Sequence, residues 1–307
     1  MAAPAPVNLG EPLLSPPEDG ISSLRFAPNS DLLLATSWDQ DDNTAYTGAL
    51  DGQLKRIGLQ GREEAVIGSH AQAIQCVEFI KERGLVVTGS WDSTLRLWDP
   101  RAAPFQNCVA VINLPGKAYT MSVAATNLVV GTSGRHVLSY DVRRLEAGQP
   151  DQQRESSLKF QTRAIACYPD GHGYALGSVE GRVAMEYLDL NPESQSLKYA
   201  FKCHRRAEGG KDIVYPVHSI VFHPVYKTFA TGGGDGVVNV WDGGNKKRLF
   251  QISKYPTSVS ALAFNHNGSL LAVASSYGYE RGEQDHPAEA IFIRAVAEAE
   301  VKPKLKK

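Results

Sequence analysis

His70, Ser90 and Asp92 fall within one stretch of this chain, followed by Trp98. Serine, histidine and aspartate are the residue types of nucleophilic acyl transfer, in which a base held by a carboxylate activates a hydroxyl. No G-x-S-x-G elbow accompanies them. The same residues have a second use that needs no substrate. A histidine ahead of a strand bonds a turn aspartate, which bonds onward to a serine and an indole N–H, so that buried polar groups satisfy one another. His70, Ser90, Asp92 and Trp98 are therefore read as a structural tetrad, and no catalytic residue is assigned. Gly232–Gly234 lacks a following Gly-Lys-Ser/Thr and is not a phosphate loop. Cys76, Cys108, Cys167 and Cys203 form no C-x-x-C pair. They are read as reduced structural cysteines, with no metal ligand and no cofactor.

The elements around the tetrad repeat. Asp92 precedes Trp98-Asp99 by the same offset that separates Asp235 from Trp241-Asp242, and weaker copies end at Tyr140-Asp141 and Leu188-Asp189. A turn Asp at a fixed distance from an aromatic-Asp ending marks repeated four-stranded units, each too small to bury its own apolar face. Strand signals are dense and helical periodicity is nearly absent. The chain is expected to be all-β, a WD-repeat β-propeller over residues 1–300, with a basic disordered tail at 301–307. Its last unit, from Val259 to Arg294, lacks a fourth strand, and the stretch near Pro6 to Pro12 is the natural donor. At the front, strands at Ile21–Phe26 and Leu32–Trp38 begin a unit, Gln40–Asn43 stands where a third strand belongs, and Thr44–Asp51 resumes as a second strand. A fourth strand is placed at Ser157–Gln161 in the unit that starts at Tyr119.

Strand ends in such a ring face one rim. Trp38 and Trp91 each directly precede a turn Asp there and suit either partial packing against the neighbouring unit or an anchor for a bound peptide. Arg163, Arg182 and Lys202 open or close strands near one rim; the pattern fits scattered surface charge, and it also fits a site for a carboxylate-rich or phosphorylated peptide. Net charge is −1, so no global field draws the chain to nucleic acid or an anionic membrane. No secretory signal and no apolar run of transmembrane length is visible.

Several strings are more specific than a Trp-Asp ending: Pro16–Ser23 (PPEDGISS), Arg154–Arg163 (RESSLKFQTR), Val179–Tyr187 (VEGRVAMEY), Lys198–Arg205 (KYAFKCHR) and Lys246–Leu249 (KKRL). Over nearly the whole chain the sequence resembles the spindle-checkpoint WD-repeat family called budding uninhibited by benzimidazoles. Lys254–Ser258 (KYPTS) and the Val-Lys-Pro-Lys ending are similar to its plant members. The resemblance implies a seven-bladed propeller without enzymatic activity, found in the nucleus, at kinetochores and in the cytoplasm. It implies a peptide site at Trp38, Trp91, Arg163 and Glu180 for the GLEBS-type motif of a checkpoint kinase and a pseudokinase. It implies a phosphothreonine site at Arg182 and Lys202 for phosphorylated Met-Glu-Leu-Thr repeats on an outer-kinetochore scaffold. Inhibitors of the anaphase-promoting complex are further implied partners; direct nucleic-acid or membrane contact is not.

One departure stands out. The family continues after its first Ser-Trp-Asp with about three strands that Gln40–Asn43 replaces here. The expectation is six full blades, or seven with an incomplete first or second blade. Two other functions compete. The sister messenger-RNA-export propeller binds a nucleoporin through a similar motif. A ubiquitin-ligase substrate receptor would use the Trp98–Arg101 box, with Arg101 at its centre.

Overall fold

Strands Leu85–Ser90 (LVVTGS) and Gly173–Ser178 (GYALGS) are buried at every position. An antiparallel strand is covered on both faces only when other sheets flank its own, and that is the arrangement found. The computed structural model describes residues 8–14, 16, 21–27, 29–34, 37–38, 44–59, 63–103, 106–280 and 282–304. Among them lie six four-stranded antiparallel sheets. Blade 1 is Ser37–Trp38, Thr44–Gly48, Gln53–Gly58 and Glu64–Ser69. Blade 2 is Ile74–Ile80, Leu85–Ser90, Thr94–Trp98 and Cys108–Asn113, and blade 3 is Ala118–Ala124, Asn127–Thr132, His136–Asp141 and Gln152–Glu155. Blade 4 is Thr162–Cys167, Gly173–Ser178, Arg182–Tyr187 and Tyr199–Lys202, and blade 5 is Val217–Phe222, Phe229–Gly233, Val238–Asp242 and Lys247–Ile252. Blade 6 is Val259–Phe264, Leu270–Ser275 and Ala290–Ala295, with Glu11–Pro12 pairing against Ile293 and Phe292 as its fourth strand.

The core lies between blades. Leu95, Leu97, Met121 and Leu128 join blades 2 and 3, and Val240, Val259 and Leu271 join blades 5 and 6. Burying a side chain of this size contributes about 1.5–3 kcal/mol. A glycine in the second strand lets the next inner strand approach. A Cβ on Gly232 would lie 2.4 Å from Val259, and one on Gly177 would lie 2.9 Å from Val217. Hydroxyls tie the inner strands together. Thr120 Oγ1 accepts from Ile165 N–H and Ser122 Oγ from Cys167 N–H, both at 3.0 Å, and Ser219 Oγ accepts from Leu262 N–H at 3.1 Å.

The shortened front resolves in a specific way. Arg25–Phe26 pairs with Leu33–Leu34 as a two-stranded half-blade, packed on the inner strand of blade 6. The strand expected over Leu32–Trp38 is split. Its second half, Ser37–Trp38, pairs with Tyr46 and Ala45 and becomes the inner strand of blade 1. Among the described residues Thr44–Gly48 has no other inner neighbour, so the deletion is absorbed by recruiting the end of one strand into the next sheet. Among the described residues the result is six blades and a half-blade. Gln40–Asn43 lies outside the described residues.

Two further boundaries differ from expectation. The fourth strand of blade 3 is Gln152–Glu155, not Ser157–Gln161. Gln152 and Arg154 donate to the Leu188 and Tyr187 carbonyls of blade 4, which fastens the earlier segment and leaves Ser157–Phe160 as a loop. The stretch read as a tail starts docked: Glu298–Val301 is a short helix, and Val301 is buried with its carbonyl accepting from Thr228 Oγ1. None of the helices among the described residues is long and apolar enough to cross a membrane.

Candidate functional site: a charged rim

In an antiparallel blade the start of the first strand, the end of the second, the start of the third and the end of the fourth share one rim. In blade 4 this rim holds Arg163, Glu180, Arg182 and Lys202. Thr162 stands opposite Ser178, and Arg182 stands directly opposite Lys202. Two like charges in that relation repel. One carboxylate moderates the Lys202 side: Asp212 lies 3.9 Å from Lys202 Nζ and accepts from Arg205 Nη1 at 2.9 Å. Arg205 Nη2 also donates to the Glu180 carbonyl at 3.0 Å. Arg182 has no ion-pair partner among the described residues, and the Lys202 side chain is 56% exposed. Gly181 makes the turn close enough. It has φ +65°, and a Cβ there would lie 2.3 Å from the His204 carbonyl.

Asp212 comes from a hairpin, Arg205–Glu208 with Lys211–Val214, that the strand pattern did not reveal. Its signal was Gly209-Gly210, both at positive φ, the residues that a two-residue hairpin loop favours. Beside it a groove of about 480 Å³ runs past Ile213, Pro216, Pro256, Tyr277 and Pro287.

Arg163 is exposed and sits at a bulge, where the register shifts between Thr162 and Ala164. Its Nε donates to His218 Nδ1 at 3.3 Å. Trp91 is at the matching end of blade 2. Lys117 Nζ stands 5.3 Å from its ring centroid, and its indole N–H finds no acceptor among the described residues. The Trp38 backbone pairs with Ala45; its side chain lies outside the described residues. The structure thus gathers Arg163, Glu180, Arg182 and Lys202 on blade 4, with Trp91 two blades away.

The tetrad forms with one substitution of partner. His70 Nδ1 donates to Asp92 at 2.9 Å, His70 Nε2 accepts from Thr88 Oγ1 at 2.7 Å, and Trp98 Nε1 donates to Thr88 Oγ1 at 2.8 Å. The hydroxyl is that of Thr88, not Ser90. Both are on one face of the strand, but Ser90 is a pleat nearer the turn, where it donates to the Gln72 carbonyl and accepts from Asp92 N–H. Burial pushes the Asp92 carboxyl up, but hydrogen bonds from Thr94 and His70 outweigh it and hold the group at about 2. Burial lowers the His70 imidazole, against the pull of Asp92. The histidine is a neutral link in a closed chain, which leaves no hydroxyl activated for attack.

A second tetrad is present that the sequence pattern did not disclose: His204 bonds Asp235 and Thr231, each at 2.9 Å, and Trp241 Nε1 donates to Thr231 at 3.0 Å. Thr231, Asp235 and Trp241 have the internal spacing of Thr88, Asp92 and Trp98, which was the available signal. On the opposite rim Arg101 folds back on Asp99 through two bonds, at 2.7 and 2.8 Å. Among the described residues there is no cluster of His, Cys, Asp and Glu able to hold a metal, and the four cysteines are free thiols. Burial raises the Cys167 and Cys203 thiols to about 12, far from the thiolate form that reacts.

Comparison with known proteins agrees with this architecture. The WD domain, G-beta repeat family matches residues 10–55, 61–99 and 198–242. Mitotic checkpoint protein BUB3.1 of Arabidopsis thaliana is 52% identical, covering 97% of this chain and 96% of the relative. Mitotic checkpoint protein bub3 of Dictyostelium discoideum is 44% identical over 94% of this chain and 95% of its own length. Protein RAE1 of Arabidopsis thaliana is more distant, 37% identical over 94% of this chain and 91% of its own.

Proposed function

The chain belongs to the BUB3 family of mitotic checkpoint WD-repeat propellers, and from that premise we propose that it is an adaptor with two docking sites on one rim. The coarse role, in the mitotic spindle checkpoint, comes with the family. The finer reading is that Arg163 and Glu180, with Trp91 and Trp38, bind a GLEBS-type motif in a checkpoint kinase or pseudokinase. Arg182 and Lys202 hold the phosphothreonine of Met-Glu-Leu-Thr repeats on an outer-kinetochore scaffold. Work at the kinetochore places the protein in the nucleus and cytoplasm, and inhibitors of the anaphase-promoting complex join it through the same assembly.

The observation that carries this reading is the facing pair Arg182 and Lys202. Two cations set directly opposite each other, one of them without an ion-pair partner among the described residues, are in a costly arrangement until a dianion lies between them. A propeller of stacked blades supplies a rigid frame for such a site, and neither tetrad leaves a nucleophile free for chemistry. The ubiquitin-ligase reading loses support because Arg101 is engaged by its own Asp99.

Calorimetry with a GLEBS-type peptide and with a phosphothreonine peptide tests the proposal. Wild type binds both, Arg163→Glu loses the first, and the double substitution Arg182→Ala, Lys202→Ala loses the second. A folded wild-type chain that binds neither peptide sinks the adaptor reading.

A further inference from the structure

Arg163 does not stand alone on the rim. Its Nε donates to His218 Nδ1 at 3.3 Å, and His218 Nε2 lies 2.9 Å from Glu280 Oε1. Ser258 Oγ donates to the same Glu280 oxygen at 3.3 Å. Arg163 and His218 both occupy bulges of inner strands, where the register shifts between Thr162 and Ala164 in blade 4 and between Val217 and Ser219 in blade 5. A bulge re-aims the side chain it carries, and here two neighbouring bulges aim their side chains at each other. Glu280 and Ser258 belong to the blade 6 side, so one hydrogen-bonded chain crosses three blades. The His218 side chain is only 7% exposed.

Donor and acceptor roles fix the state of the imidazole. A guanidinium Nε–H can only donate, so Nδ1 must carry a lone pair, and the single proton of the neutral ring is on Nε2, donated to Glu280. Hydrogen bonding from His218 holds the Glu280 carboxyl below its usual range. Nε is the inner nitrogen of the guanidinium. With it tied down, the fork of terminal nitrogens, which bond no partner among the described residues, is left for a ligand.

We infer that His218 is the positioning residue for Arg163. With Glu280 as its support, it presents the arginine fork edge-on to a carboxylate of an acidic peptide. This deepens the proposed peptide site and rests on that reading for the identity of the ligand. Pre-orientation matters because an arginine otherwise gives up rotamer freedom on binding, and a bidentate Arg–carboxylate pair depends on the plane of the guanidinium.

Two measurements test it. The first needs no ligand: nitrogen-15 spectra of the imidazole in the full chain should show the Nε2–H tautomer of His218, with the Nδ1 signal moving on Arg163→Ala. The second is a double-substitution cycle with an acidic GLEBS-type peptide. His218→Leu should weaken binding about five- to tenfold, the size of one lost hydrogen bond. His218→Gln, whose amide can accept from Arg163 and donate to Glu280, should restore most of it. In the Arg163→Ala background, His218→Leu should have no further effect. A proton on Nδ1, a spectrum blind to Arg163, or losses that add in the double variant would overturn the inference. If wild type shows the coupled spectrum but no affinity for the peptide, the positioning stands and the ligand reading falls.

Discussion

Blade 5 and the front of the ring begin with similar strand patterns and reach different ends. In blade 5 the inner strand is flanked on both sides, its second strand is buried at every position, and a closed chain of bonds joins His204, Thr231, Asp235 and Trp241. At the front, Arg25–Phe26 and Leu33–Leu34 make a sheet of two strands, and the next blade borrows Ser37–Trp38 as its inner strand. The difference teaches where a propeller can lose material. A missing strand is replaced by any extended neighbour with free backbone groups, whereas a tetrad has no substitute for its shared hydroxyl.

The comparison predicts unequal sensitivity. Thr231→Val removes the one oxygen that serves both His204 Nε2 and Trp241 Nε1. It should cost about 2–4 kcal/mol in urea unfolding, since a buried imidazole and a partly buried indole N–H both lose a partner. Leu33→Ala, in the half-blade, should cost about 1 kcal/mol, because Leu33 is only partly buried, at the margin of the cluster it packs against. Equal losses at the two sites would erase the distinction.

Binding should follow the intact arc. Arg182→Ala should weaken a phosphothreonine peptide by roughly 1.5–3 kcal/mol, the worth of a charge-assisted bond. Leu32→Asp, on an exposed residue of the half-blade, should leave that affinity unchanged. A loss at Leu32 would tie the front to the site.

Acid should reach the tetrads next. Asp92 has a native pKa of about 2, below its ordinary 3.8, so its stabilisation is present above 3.8 and disappears as pH falls to about 2. His70 is lowered from 6.5, so its neutral form begins to lose ground once pH drops below 6.5. The Asp92 part should remove about 1–2 kcal/mol on the way down, and His70 acts in the same direction. Asp92→Asn should flatten the lower part of that titration, and an unchanged profile would show that the aspartate does not drive it.

The smallest effect concerns Asp212, which partly neutralises Lys202 and Arg205. Asp212→Asn should tighten phosphopeptide binding about two- to threefold, in line with the modest worth of exposed ion pairs. Weaker binding would assign Asp212 a direct role in the peptide contact.

Much of the architecture is legible in the residues alone. The offset from turn Asp to Trp-Asp exposes the four-stranded units, and it identifies His70, Asp92 and Trp98 as members of one network. Thr88 escapes that reading, because Thr88 and Ser90 are on the same strand face and spacing alone cannot say which pleat an indole reaches. His204 escapes it because 31 residues separate it from Asp235, against 22 between His70 and Asp92. The Arg205–Val214 hairpin fills the difference.

Local order and long-range closure divide the rest. Alternation, turn residues and repeat spacing act over a few residues, so the chain itself determined the all-β class, the unit length and the rim on which Arg163, Arg182 and Lys202 emerge. Ring closure joins residues far apart in the chain, and only the tertiary structure decided what it brings together. It split Leu32–Trp38 between two sheets, set Asp212 between two cations, and placed His218 against an arginine 55 residues earlier. Those outcomes depend on which backbone and side-chain groups remain unsatisfied once the neighbouring blades have packed, and no short window of sequence contains that information.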